Sequence, residues 1–468
     1  MSFLILSMIS KNTSLFPIAI LVISSMLMIS LAWVNDGAAN DDHVEVAEMI
    51  FNERKIPEPQ RCWQCYHPKF YHYSVAQLSH FFDLDTREKR TVLAQVINAI
   101  AGMITLLICW IFIKRQSFRE AVKLLCLATV AFNPRFLAIH AQASNDAFLI
   151  LFGTIMLFSL YQLMGKFDKK YVLILLIAGI LAGVTKGNSF ILMIGVGVVF
   201  LLKIMISQKV RRKNYVGSLF FFLMLTMILV GYFGEYFSNY KKHGKPIVYN
   251  TPITEVPSWF KKNTFRRPGV RSIAEGYFTF RWVDLIQNPI ISNDAETYPL
   301  HRTSVWSQLY GRSNFIYFDN WPPGKWQSKD PLMMNIGRIA LALAIIPTLL
   351  FLLGLFKEIK KWGVLFLKRR WEVFNDNQEW IFPIFIFGFG VFIILFTATG
   401  RDYSFMKIIY LYPCVLAILI PLLKGFEWIC SHLNKNRSAI LVFYFLIIIL
   451  YISYLVPVLN LISNLMNG

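Results

Sequence analysis

Long apolar runs recur along this sequence and constrain its fold more than any other feature. A helix needs about 20 mostly apolar residues to cross a bilayer, and the chain is 56% hydrophobic but only 16% charged. Such runs occur at about 15–34, 92–113, 121–138, 145–164, 171–185, 188–206, 215–236, 334–356, 380–398, 405–423 and 438–460. They predict an all-α polytopic membrane protein with about eleven transmembrane helices, the first retained because it is longer than a signal-peptide core.

Basic residues are concentrated in the short segments between these runs, and this distribution explains the formal charge of +20. The segments are KRQSFRE at 114–120, KFDKK at 166–170, QKVRRKN at 208–214, KEIKK at 357–361 and KRR at 368–370. Cytoplasmic loops carry such an excess of lysine and arginine. The charge therefore predicts membrane topology, with the bilayer as partner and no nucleic acid.

This topology places two long loops on the extracytoplasmic side, at 35–91 and 237–333. Loops of that length usually carry function. We divide the chain into an N-terminal transmembrane module at 1–236, which includes the first loop, the large loop at 237–333, and C-terminal helices at 334–468.

Acidic residues follow directly after the first apolar run, in NDDHVEVAEMIFNERK at 40–55. If this stretch is helical, Asp41, Glu45, Glu48 and Asn52 share one face. Asp41 and Asp42 are then candidates for acid–base chemistry. The alternative is an acidic first turn that only complements the helix dipole.

The same loop contains CWQCYHPKFYHY at 62–73, a mixture that neither a core helix nor a solvated linker needs. Pro68 favours an extended conformation before it, so aromatic rings could enter the membrane interface while His67 and Lys69 face polar groups. Cys62 and Cys65 could form a disulfide in an oxidising compartment or remain free thiols. A zinc site completed by His67 and His72 is less favoured, because the spacing is not that of a structural site. An interfacial anchor without chemistry is the remaining alternative.

Three later segments place charged residues at predicted helix ends on the same side. SNDAFLILF begins a helix at Asp146, GVTKGNS exposes Lys186 in a turn, and GRDYSFMK carries Arg401 and Lys407. No ionisable residue lies near a predicted midplane, where coupled transporters usually place carboxylates or histidines. Polar chemistry is therefore expected on one face.

The order of these segments resembles the integral-membrane GT-C glycosyltransferases, in the branch of protein O-mannosyltransferases and lipid A aminoarabinose transferases. Asp41-Asp42 resembles that branch's acidic pair after the first helix. Residues 67–72 resemble its His/Lys-Pro-Pro-Leu-Tyr-Tyr-like stretch, with Lys69 in place of the second proline. SNDAFLILF, GVTKGNSFIL and the late KIIYLYPCVLAI resemble its later motifs. The resemblance covers about 35–190 and 398–427.

This resemblance implies transfer of a sugar from a polyprenyl-phosphate donor to an extracytoplasmic hydroxyl acceptor, with inversion. Asp41 or Asp42 would be the catalytic base, and Asp146 a second acid. The implied donor-phosphate and substrate contacts are His67, Lys69, Tyr71, Lys186, Arg401 and Lys407. No motif requires a cofactor, although a divalent metal is compatible with the external acids and histidines.

Two other functions stay open at this point. A flippase or transporter for lipid-linked saccharides could use a hydrated groove. An O-antigen-ligase-like enzyme would use a pyrophosphate donor and centre its chemistry on the large loop, which contains RRPGVR at 266–271. The acceptor could be a protein hydroxyl, a lipid or a glycan. Compact loops and no appended lumenal domain favour a bacterial inner membrane over the endoplasmic reticulum.

Overall fold

The computed structural model describes residues 15–35, 41–207, 209–248, 273–289, 303–315, 331–400 and 406–466. Every regular element in these ranges is helical. The helices are α1 Leu15–Val34, α2 His43–Glu53, α3 Phe70–Phe81, α4 Arg87–Lys114, α5 Glu120–Ala131, α6 Pro134–His140, α7 Asp146–Gly165, α8 Lys169–Gly183, α9 Ser189–Ile206, α10 Lys209–Phe233, α11 Tyr236–His243, α12 Ile273–Tyr277, α13 Trp282–Gln287, α14 Val305–Asn314, α15 Pro331–Leu343, α16 Ile345–Leu367, α17 Trp371–Asp376, α18 Ile381–Gly400, α19 Val415–Leu433 and α20 Arg437–Met466.

The predicted all-α, multi-pass architecture is confirmed. Within the described ranges, nine helical segments are long and apolar enough to cross a membrane, and the bent pair α5–α6 makes a tenth. The eleventh predicted span corresponds to α8, which has 15 residues. At 1.5 Å per residue it is about 22 Å long, shorter than the roughly 30 Å hydrocarbon core.

Large apolar side chains on the spans remain exposed in the folded chain. They include Ile194, Phe220, Met227, Phe387 and Phe445, on α9, α10, α18 and α20. A soluble protein rarely leaves so much contiguous apolar surface in water. The surface therefore fits lipid around a helical bundle whose core is formed by the inner faces of the same helices.

The break between α5 and α6 bends the chain by 52°. Pro134 occupies the first turn of α6, where its missing N–H is harmless. The Asn133 side chain accepts a hydrogen bond from Phe136 N at 3.1 Å, and Tyr412 Oη donates to the same Asn133 oxygen at 2.8 Å. The freed backbone is thus satisfied by side chains, as a bilayer requires.

The described parts of the second long loop pack onto the helical bundle. Tyr310 Oη on α14 donates a hydrogen bond to the Leu341 carbonyl on α15. Tyr454 Oη on α20 donates to Asn314 Oδ1 at 2.6 Å. These segments therefore contact the C-terminal helices directly. The run at 266–271 and most of the loop's tryptophans lie outside the described residues.

Helices α16 and α19 approach each other through glycines. A Cβ atom at Gly354 would lie 1.9 Å from the Pro421 carbonyl oxygen, and one at Gly425 would lie 2.1 Å from the Leu350 carbonyl oxygen. An ion-pair network reinforces the contact, since Lys424 Nζ lies 2.5 Å from a carboxylate oxygen of Glu358 and of Glu379. Glu379 precedes α18, so this network lies at the end of that span opposite Lys407.

We expect Gly354→Ala to lower the free energy of unfolding by about 1–3 kcal/mol, because the added methyl group forces two close-packed backbones apart. Thermal unfolding of the detergent-purified protein measures the effect. Gly363→Ala is the matched control in the same helix, since a Cβ there meets nothing within 4 Å. Equal unfolding temperatures for the two variants would contradict the role assigned to this contact.

Candidate active site

The acidic pair lies in a left-handed turn just before α2. Asp41 has φ of 47° and Asp42 has φ of 55°, a region that aspartate enters more readily than most non-glycine residues. Helix α2 begins at His43. Asp41 is therefore outside the helix and does not share the predicted helical face with Glu45, Glu48 and Asn52.

The two carboxylates of this pair have different partners. Asp41 Oδ2 lies 3.7 Å from Lys407 Nζ, which joins the first loop to the segment before α19. Asp42 is instead bound by Arg87 at the start of α4. Arg87 also contacts Glu48 at 2.8 Å, so Asp42 belongs to a network that fastens α2 to α4.

Asp41 is an exposed carboxylate in a positive environment. Its side chain is 64% exposed. Lys407 holds the pKa of Asp41 below its ordinary value, Lys186 adds to this effect, and the partial shielding of the carboxylate from water opposes it. The carboxylate is therefore ionised at neutral pH and accessible from one side, as a proton acceptor needs to be.

Asp146 and Lys186 form a second, buried ion pair behind the first. Lys186 Nζ lies 2.6 Å from Asp146 Oδ1, with side-chain exposures of 10% and 12%. Ser144 Oγ donates to the other Asp146 oxygen at 3.0 Å. The pair connects the first turn of α7 to the turn after α8. The charge of Lys186 acts on both Asp41 and His43.

Three histidine rings stack beside the acidic pair. His43 Nδ1 and His72 Nε2 lie 3.0 Å apart, and the His67 ring stacks on His43 with centroids 5.7 Å apart. Burial and the nearby Lys186 charge lower the pKa of His43 to about 4, and burial lowers the pKa of His67 and His72. All three imidazoles are therefore neutral at pH 7.

His43 and His72 were not among the residues predicted for the site, although His67 was. The adjacency of His43 to Asp42 in the sequence was the available signal. The second missed residue, His72, reaches the cluster because α3 packs against α2. The contact between His43 and His72 couples the tautomers of the two neutral rings, because one ring must donate and the other accept.

Lys69 and Tyr71 were predicted to contact substrate, but each is engaged inside the protein. Lys69 Nζ donates to the carbonyls of Cys65 and His67 at 2.5 and 2.7 Å and lies 3.2 Å from Glu235 Oε2. These contacts use all three ammonium donors. The Tyr71 side chain is buried and its hydroxyl lies 3.3 Å from Asn98 Nδ2. In this conformation the contacts of both side chains are with the protein itself.

A disulfide between Cys62 and Cys65 closes the turn whose carbonyls bind Lys69, and it is one of the three states open from the sequence. Arg401, predicted to bind the donor phosphate, lies outside the described residues. Within the part of the chain that the structure describes, no group of three His, Cys, Asp or Glu side chains is arranged to hold a metal ion.

Comparison with known proteins gives one match to a family. A model of the family "Dolichyl-phosphate-mannose-protein mannosyltransferase" matches residues 83–240. The predicted resemblance to this family is confirmed. The matched segment contains Asp146 and Lys186, whereas Asp41, His67 and Lys407 lie outside it. No curated protein matches the chain in sequence.

Three solved structures illustrate the similarity in three dimensions. The S. cerevisiae protein O-mannosyltransferase Pmt1–Pmt2 complex bound to the sugar donor is 15% identical, with 48% of this chain and 32% of that chain covered and a TM-score of 0.36. AglB, an oligosaccharyltransferase from Archaeoglobus fulgidus in complex with an inhibitory peptide and a dolichol-phosphate, is 13% identical. The match covers 97% of this chain and 56% of that chain, with a TM-score of 0.46. ArnT from Cupriavidus metallidurans bound to undecaprenyl phosphate is 12% identical. The match covers 88% of this chain and 77% of that chain, with a TM-score of 0.38. The chain thus spans about a third of the first and just over half of the second.

We expect Asp146→Asn to destabilise the protein by about 3–5 kcal/mol, because it leaves the Lys186 ammonium buried without its counter-charge. Thermal unfolding in detergent measures the loss. The double variant Asp146→Asn/Lys186→Met removes both charges and should recover part of it. A double variant less stable than the single one would show that Lys186 does not depend on Asp146.

Proposed function

We propose that this protein is a membrane glycosyltransferase that transfers a sugar from a polyprenyl-phosphate donor to a hydroxyl acceptor, with inversion at the anomeric carbon. The observation that carries the proposal is the exposed Asp41 carboxylate, 3.7 Å from the Lys407 ammonium and backed by the buried Asp146–Lys186 pair. The match to a family named for a dolichyl-phosphate-mannose donor supports it.

In this reaction Asp41 is the general base. The acceptor oxygen attacks the anomeric carbon from the face opposite the phosphate, and its proton moves to the Asp41 carboxylate. The bond between the anomeric carbon and the phosphate oxygen breaks, and its electron pair stays on the phosphate. A positioned base of this kind typically contributes 10²–10⁴-fold. Asp42 is less suited, because Arg87 already binds its carboxylate.

The lipid phosphate gains negative charge as the sugar leaves, and cations stabilise it. Lys407 is the candidate nearest to the base, with its side chain 39% exposed. Lys186 supplies positive potential from behind, where Asp146 holds it in place. Arg401 remains a predicted phosphate contact. His67 is only partly buried and is suited to hydrogen bonds with a sugar hydroxyl, while the buried His43 ring stacks against it.

Among the alternatives, the pairing of carboxylates with cations on one face favours an enzyme over a flippase. An O-antigen-ligase-like enzyme would instead depend on the large loop at 237–333. The donor sugar and the acceptor are not specified by these residues. We place the reaction on the extracytoplasmic face of a bacterial plasma membrane, because the basic connecting segments lie at the opposite ends of the spans.

The nature of the donor is tested by native mass spectrometry of the gently purified protein. A co-purified polyprenyl phosphate or its sugar ester supports the proposal and supplies the donor for assays. A pyrophosphate-linked oligosaccharide would favour the ligase or the flippase.

With that donor, we expect Asp41→Asn to reduce transfer by 10²–10⁴-fold, because the amide cannot accept the acceptor's proton. Asp42→Asn should keep activity within about tenfold, since it loses only an exposed ion pair. Single-turnover transfer of labelled sugar measures both, and unfolding temperatures control for folding. Equal losses in the two variants would refute the assignment of Asp41 as the base.

We expect Lys407→Gln to shift the acid limb of the kcat/KM–pH profile to higher pH. Lys407 lowers the pKa of Asp41, so removing it raises that pKa and protonates the base at a higher pH. The KM for the donor should rise as well. Lys242→Gln is the control, because Lys242 pairs at 2.8 Å with Glu58, and its acid limb should stay in place. An unmoved limb in Lys407→Gln would separate Lys407 from the base.

A further inference from the structure

A cleft of about 300 Å³ lies between the end of α2 and the adjoining side of α3. Its lining consists of Ile50, Arg54, Lys55, Ile56, Tyr73, Gln77 and His80. None of these residues takes part in the chemistry assigned to Asp41. The cleft lies at the opposite end of α2 from the acidic pair, about 15 Å away at 1.5 Å per residue.

Two adjacent cations give the cleft its charge. The side chains of Arg54 and Lys55 are exposed and form no ion pair or hydrogen bond with any residue that the structure describes. Arg54 adopts φ of 53° directly after α2, and its backbone N–H donates to the Ile50 carbonyl at 3.0 Å. That position usually holds glycine or asparagine. Here the chain places a guanidinium there, despite the unfavourable backbone.

The opposite wall combines an aromatic ring, an amide and an imidazole. Tyr73 is 48% exposed, and Gln77 follows it one turn later on α3. The His80 ring stacks on Phe51 with centroids 4.1 Å apart, and its Nε2 lies 3.1 Å from the Phe51 carbonyl oxygen. Cations on one wall, with the Tyr73 hydroxyl and the Gln77 amide as donors on the other, suit an anion such as a phosphate diester.

An apolar surface adjoins this cleft. Ile56 is 49% exposed, Phe81 76% and Phe82 55%. Phe82 lies five residues before Arg87, where α4 begins and the chain enters a membrane span. The apolar medium nearest to these rings is therefore the bilayer interface, where aromatic side chains are favoured.

We propose that this cleft binds the headgroup phosphate of an anionic phospholipid, while Phe81 and Phe82 insert into the interface beside it. Basic residues next to a membrane surface attract anionic lipids in this way. Such a contact would hold the first loop at a fixed height above the bilayer. The inference depends on the membrane placement alone and holds whichever reaction the acidic pair catalyses.

Native mass spectrometry tests the phosphate contact. Protein in mixed micelles is titrated with phosphatidylglycerol, against phosphatidylcholine as the neutral lipid. At about fivefold per cation, Arg54→Gly/Lys55→Gln should weaken the tightest phosphatidylglycerol binding about 25-fold. Glycine is favoured at the left-handed position of Arg54, so loss of the guanidinium is not coupled to strain. Unchanged affinity in the double variant would overturn the proposal.

Arg369→Gly is the matched control. Arg369 is also exposed and left-handed, with φ of 52°, but it follows α16 and lies far along the chain from the cleft. The substitution Arg369→Gly removes one positive charge and, as at Arg54, replaces a left-handed arginine with glycine. The tightest phosphatidylglycerol site should keep its affinity in this variant. A loss of about fivefold in this control, the same per charge as in the double variant, would show that net charge alone attracts the lipid and would refute the cleft. Displacement of the lipid by millimolar inorganic phosphate would identify a soluble-anion site instead.

A nitroxide label at Phe81→Cys tests the membrane contact separately. The other free cysteines in the described residues are buried, so the label reports on this position. In nanodiscs it should collide more with oxygen than with a water-soluble nickel chelate. Greater accessibility to nickel would place α3 in water and overturn the proposed insertion.

Discussion

Interrupted helices in a bilayer must satisfy their free backbone groups without water, and this constraint determines where polar chemistry can lie. The chain meets it by placing its irregular segments at the ends of spans and binding them to one another. The Phe70 amide donates to the Val184 carbonyl at 3.1 Å, which joins the first loop to the turn that carries Lys186. At the break before α6, the Asn133 side chain likewise accepts a hydrogen bond from the free Phe136 amide. The acidic and basic residues are brought together because the segments that carry them are joined for this reason.

The fold class could be predicted from the sequence because a membrane-spanning helix needs about 20 consecutive apolar residues. Such a run is recognisable without any knowledge of tertiary contacts. Helix α8 has only 15 residues, yet it returns the chain from the basic segment after α7 to the end where Lys186 meets Asp146. Asp146 and Lys186 were predicted at helix ends on one face, and the structure pairs them. Their separation of 40 residues is not encoded in any local pattern, so the pair itself could not be predicted.

The first loop shows what local reasoning misses. The spacing of the acidic residues predicted a helical face beginning at Asp41. Asp41 and Asp42 are both left-handed, so the helix begins only at His43. Lys69 looked like a phosphate ligand because it is cationic and sits among aromatics. The partners that occupy it include Glu235, 166 residues away. A lysine's availability depends on such distant partners, which a motif does not report.

The two ion pairs of the site differ in burial. The Asp146–Lys186 pair is buried, whereas the Asp41–Lys407 pair is exposed and can exchange partners. Breaking the buried Asp146–Lys186 pair would leave a charge without compensation, at about 3–5 kcal/mol. The Asp41–Lys407 pair is exposed and longer, and pairs of that kind contribute about 0–1 kcal/mol. In the proposed reaction Lys407 can therefore turn from Asp41 to an arriving phosphate at little cost, because a charge-assisted contact replaces a weak one. The base then loses the cation that lowers its pKa when the donor is bound, which is when it must accept a proton.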